Sequence, residues 1–142
     1  MRVESLDHIH IYCEDPEASA AFYTHHFEAA EVLRNSNSQG ALRIFLGLGG
    51  QVLVLGPFPA GHVPAAAPEP GDGAYHHGFG VAHIGLRVAD VATAVAELSA
   101  AGVAILSTPV TESTGLTFAY VAAPDGVVLE LTQYPPPTRV VP

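Results

Sequence analysis

The chain has no lysine and a single cysteine, and no apolar run in its 142 residues approaches the roughly 18 needed to cross a bilayer. Each shortage closes a route. Without lysine there is no Schiff-base nucleophile and no ammonium group to clamp a phosphate or phosphonate. Cys13 alone cannot form an internal disulfide, which agrees with a reducing compartment, and it reads as a small buried hydrophobe on a first strand. The N-terminus MRVESLDHIH lacks the basic start and long apolar stretch of a secretory signal, so a cytoplasmic protein with no membrane partner is expected. Fourteen acidic residues against five arginines give a formal charge of −9, which repels phosphate backbones and argues against a nucleic-acid partner.

What the chain does have is apolar mass and a repeat. Its 49% hydrophobic content supports a sizeable core, and its length suits one domain covering 1–142. Sliding the sequence by 75 residues lays His8-Ile9 on His83-Ile84 and Asp15 on Asp90. Each copy opens with an alternating segment; in the first, Leu6, His8, His10 and Tyr12 share one face while Ile9, Ile11 and Cys13 share the other, which predicts a strand.

An aspartate at a helix N-cap position follows in both copies, Asp15 before Pro16 and Asp90 before Val91. Helices are predicted over 16–27 and 91–101, the second stopped by Gly102. Strands are predicted near 30–35, 41–47 and 51–55, and again near 103–107, 116–122 and 127–133. Gly49-Gly50 and Pro124-Asp125-Gly126 join the last two strands of each set. The expected fold is α+β, with two βαβββ modules, 3–56 and 80–134, joined by a linker over 56–80 rich in proline, glycine and alanine. One module alone leaves a sheet face uncovered, so the sheets are expected to close on each other or on a second chain.

His8, His83 and Glu130 are donors of the types that hold a divalent ion on one face and leave the other open to substrate. Glu130 is the sharpest of the three. It stands between Leu129 and Leu131, where a carboxylate facing an enclosed pocket is costly without a cation or donors.

His10 lies about 7 Å along the strand from His8 on the same face. It is a candidate hydrogen-bond donor behind a ligand, an acid–base group or, one register along, the ligand itself. Arg87, four residues after His83, reads equally as a carboxylate clamp or a rim salt bridge. His25 and His26 close the first helix, where positive charge suits the dipole. His62, His76 and His77 fall in the linker and are expected to be solvated, with His77 the one rival to His83.

Paired βαβββ modules with a histidine opening each first strand and a glutamate on the last strand resemble the vicinal oxygen chelate superfamily. That group includes glyoxalase I, bleomycin-resistance proteins, methylmalonyl-CoA epimerases, fosfomycin thiol transferases and extradiol dioxygenases. The resemblance covers residues 3–134 and implies a cupped mixed sheet around a metal and substrate pocket, with His8, His83 and Glu130 as ligands. It also implies a homodimer. Glyoxalases and epimerases take a fourth ligand from the first module, but aligning the two turns puts Val54 opposite Glu130, and valine binds no metal.

Three protein ligands resemble the extradiol pattern, as does YVAAPDGVVLE from Tyr120 to Glu130: a tyrosine, a proline-x-glycine and the ligand glutamate. In that family the tyrosine hydrogen-bonds a substrate oxygen. A histidine expected upstream of it is missing from 110–115.

The expected function is a metal-dependent enzyme, with a His-His-Glu Fe(II) dioxygenase first and Mn, Zn or Ni as other ions. Its substrate is expected to be small, largely apolar or aromatic, and to carry adjacent oxygens. Tyr120 and His10 are the candidate proton carriers, and Val52, Val54 and Phe118 the candidate apolar contacts. Two alternatives stay open. One is an oxygen-independent lyase or isomerase with Glu112 or His10 as base; the other is a metal-free drug-binding resistance protein.

Overall fold

Apolar alternation along β1 (Ile9–Cys13) opens the computed structural model, which describes residues 1–63 and 81–136. Ile11 and Cys13 are buried, while His10 and Tyr12 on the opposite face are exposed, as a half-covered strand requires. The chain divides into two units, Met1–Ala66 and Ala67–Pro142.

In the first unit Asp15 caps α1 (Pro16–Phe27), its Oδ1 accepting the Ala18 N–H at 3.1 Å, and Pro16 fills the first turn, where no N–H is needed. Ser19, Ala20 and Tyr23 form the buried stripe of the helix, which packs across β3 (Leu42–Leu48) and β4 (Gln51–Pro57). No glycine ends this helix. Glu28 takes the left-handed conformation instead, with φ 55°. With β2 (Ala30–Ser36) the strands form a sheet of order β1-β4-β3-β2, in which β1 and β4 run parallel and the other pairs antiparallel. The β3–β4 hairpin turns on Gly49 and Gly50, both at positive φ.

The second unit repeats the plan. Asp90 caps α2 (Val91–Ala100), its Oδ1 accepting the Thr93 N–H at 2.7 Å, and Gly102 sits just past the helix at φ +85°. The second sheet has the order β5-β8-β7-β6, built from β5 (Ile84–Arg87), β6 (Val110–Thr111), β7 (Thr117–Ala122) and β8 (Val128–Gln133), with β5 and β8 parallel. Ala119, Val121, Leu129 and Leu131 are fully buried on the face that α2 covers. These are the two four-stranded sheets of the expected α+β fold.

One strand differs. The strand expected over 103–107 is reduced to a single bridge between Ile105 and Val121, and the edge strand β6 forms at Val110–Thr111. Leu106 and Ser107 both donate to the Tyr120 carbonyl, and the Ser107 hydroxyl takes the Tyr120 N–H at 2.9 Å, so a side chain fills a ladder position. Pro109 then has no N–H to continue the pairing. Among the described residues no helix is long and apolar enough to cross a membrane.

Candidate metal centre

Strand parity sorts the second sheet into two faces. Leu129 and Leu131 point into the core, so Glu130 between them points to the other face, directly across from Tyr120 on β7 and Gly85 on β5. His83, one residue before β5, shares the face of Gly85. Its Nε2 lies 3.1 Å from Glu130 Oε2, with side chains 29% and 18% exposed, so the pair is shielded yet reachable. The His83 and Tyr120 ring centroids are 5.4 Å apart, and Phe118 lies 5.8 Å beyond Tyr120. Gly85 lies beside the carboxylate, where a Cβ would make an ordinary contact with Glu130 Oε2 at 3.8 Å.

His83 and Glu130 are suited to a divalent ion. Neighbouring donors on a six-coordinate ion with bonds of about 2.1 Å stand about 3.0 Å apart, and Nε2 and Oε2 are at that separation. The same separation also lies within ion-pair distance of the two side chains themselves. His83 Nδ1 is buried without a hydrogen-bond partner among the described residues, so the ring's polar contact runs through Nε2. Among the described residues no group of three or more His, Cys, Asp or Glu side chains is gathered to hold a metal.

The first unit carries His8 just before β1, as His83 precedes β5. His8 is exposed, and its Nδ1 pairs with Asp7 Oδ2 at 2.6 Å. His10 sits over Gly56, where a Cβ would come within 3.2 Å of its Nε2, and its ring is 5.1 Å from that of Tyr12. Partial burial, then the nearby His8 and Arg43, push its pKa below the usual histidine value. Val54 pairs with His10 and Phe45 and is only 2% exposed, whereas Val52 is half-buried.

Arg87 lies on the Glu130 face, its guanidinium 4.9 Å from the Tyr134 ring centroid. Glu112 is exposed in the β6–β7 hairpin, its carboxylate accepting from Thr114 at 3.4 Å. His25 and His26 meet edge to face in the last turn of α1, where burial and then His25 lower the His26 pKa, against the helix dipole. His62 is exposed, and His76 and His77 lie outside the described residues. Sequence reasoning passed over Gly85 and Tyr134. Steps of two from His83 and from Glu130 reach both, and they acquire meaning once the parallel register is known.

The chain matches the family model of the Glyoxalase/Bleomycin resistance protein/Dioxygenase superfamily over residues 5–131, and it belongs to that superfamily. Among solved structures it is similar to a glyoxalase family protein from Enterococcus faecalis, with 23% identity, 93% of this chain and 99% of that one covered, and a TM-score of 0.71. It is also similar to the fosfomycin resistance protein FosX from Listeria monocytogenes, solved with Mn(II) and sulfate (16% identity, 95% and 96% covered, TM-score 0.65). A third is lactoylglutathione lyase from Agrobacterium tumefaciens (22% identity, 94% and 96% covered, TM-score 0.63). At these identities the likeness is one of fold. No curated protein matches the sequence significantly.

Proposed function

We propose that this chain is a metal-dependent enzyme of the vicinal oxygen chelate type, acting on a small, largely apolar or aromatic substrate with adjacent oxygens. The observation that carries the reading is the 3.1 Å approach of His83 Nε2 to Glu130 Oε2 on an open sheet face beside Tyr120. His8 is the third ligand. Its support is positional: it precedes β1 as His83 precedes β5, and in each unit the next residue pairs with the parallel last strand, Ile9 with Leu53 and Ile84 with Leu129.

The finer reading is a dioxygenase with Fe(II), with Mn, Zn and Ni as other ions that suit imidazole and carboxylate donors. A divalent ion in the related FosX structure supports metal use in general. When bound, the ion supplies a Lewis acid for two adjacent substrate oxygens and, as Fe(II), a partner for dioxygen. Tyr120, across from Glu130, donates its hydroxyl proton to a substrate oxygen, and His10 serves as the second proton carrier. Phe118, Val52 and Val54 supply apolar contact to the substrate. The protein is read as a cytoplasmic homodimer, the dimer to be checked by light scattering.

The test is dioxygen uptake by the Fe(II)-loaded protein with a panel of catechols, paired with the same assay under argon. The reading predicts uptake in step with substrate loss and no turnover without oxygen. Turnover under argon assigns the site to a lyase or isomerase instead. Tight binding of an aromatic compound by protein that takes up no metal assigns it to sequestration.

A further inference from the structure

We infer that the substrate is a carboxylate, and that Arg87, braced by Tyr134, holds its anionic end one same-face strand step from Glu130 and two from His83. This rests on the metal-centre reading above and narrows its substrate class.

The placement comes from register. On β5, His83, Gly85 and Arg87 share a face with Glu130, Thr132 and Tyr134 of the neighbouring strand and its continuation; Gly85 pairs with Glu130 and Arg87 with Thr132. The donor pair therefore marks one end of a short trough and Arg87 the other. Successive same-face positions along a strand are about 7 Å apart. Gly85, with no side chain, lies level with Glu130, and Thr132, whose hydroxyl turns to the Leu86 carbonyl at 3.4 Å, lies level with Arg87.

The chemistry comes from the state of Arg87. Its guanidinium carbon lies over the Tyr134 ring, 4.9 Å from the centroid, a cation–π contact that steadies the side chain without using any N–H donor. Among the described residues no carboxylate is within ion-pair distance of Arg87. By contrast, Arg34 is engaged by Glu17 and Glu31, and Arg43 donates to Asn35. In a chain with fourteen acidic residues, a cation left without an acidic partner on the face of the metal donors is set apart for an external anion. One planar fork with no lysine beside it matches one planar carboxylate.

The experiment is calorimetric titration of Mn(II)-loaded protein with 3,4-dihydroxybenzoate and with catechol, which differ only in the carboxylate. The same titrations are run on Arg87→Gln, Arg87→Lys and Tyr134→Leu, with metal content measured on every sample. The inference predicts that wild type binds the acid about tenfold or more tightly than catechol. It further predicts that Arg87→Gln abolishes this preference without changing catechol affinity or metal content, and that Arg87→Lys and Tyr134→Leu keep part of it. Equal binding of the two probes by wild type, or a preference that survives Arg87→Gln, overturns the carboxylate subsite while leaving the metal centre standing. Binding of neither probe by fully metal-loaded wild type overturns the subsite, and absence of metal from wild type overturns the metal centre as well.

Discussion

Val54 of β4 and Glu130 of β8 hold equivalent places in the two sheets: each pairs with the second residue of its unit's parallel first strand, His10 or Gly85, and each faces an aromatic residue across the hairpin, Phe45 or Tyr120. The repeat thus sets a carboxylate in one unit where it sets an apolar side chain in the other. The first unit therefore offers no carboxylate at the place where the second presents Glu130.

That equivalence predicts the outcome of Val54→Glu. Val54 is 2% exposed, so burying a carboxylate there should cost about 3 kcal/mol of stability in metal-free protein, read from urea unfolding. Added Mn(II) should recover part of the loss, since the position matches that of a ligand. A neutral effect on the metal-free protein would contradict the packing described.

Tyr120→Phe removes one hydroxyl and leaves the ring beside His83 in place. The expected result is a fall in kcat/KM of about 100-fold with metal content unchanged. Equal activity would remove Tyr120 from the proton path.

The helices were legible because their ends are chemical. Asp15, Pro16, Asp90 and Gly102 stand where the unsatisfied backbone groups of a helix need a cap or a left-handed residue. The left-handed Glu28 was not legible, because nothing in its side chain favours that conformation. The strand expected at 103–107 failed for a related reason: apolar content there matches a strand, but Ser107 competes for the ladder through its hydroxyl and Pro109 cannot donate. In the site, the apolar flanks of Glu130 gave it away, and the same parity places His83 on its face. Gly85 and Tyr134 carried no signal alone, since an absent side chain and a stacking ring acquire meaning only when the parallel register is known.

Asp90 carries a pH prediction. The Thr93 backbone N–H, then its hydroxyl, hold the carboxyl below the usual aspartate range. A folded-state pKa lowered in this way contributes stability that is fully present above the unfolded-state value and is lost as pH falls through the folded one. Wild type should therefore melt above Asp90→Ala at neutral pH, and the gap between their Tm values should hold down to the ordinary aspartate range and close below it. A gap that widens on acidification would contradict the capping role.

The account stands on His83 and Glu130 being held together for a cation rather than for each other. Metal content of protein purified without chelators, measured beside His83→Ala and Glu130→Ala by elemental mass spectrometry, tests this most directly. Wild type should carry a near-stoichiometric divalent metal, and both variants should lose it while keeping their fold by circular dichroism. Wild-type protein that stays metal-free when offered Fe(II), Mn(II) or Zn(II), or a metal content untouched by both substitutions, would contradict it.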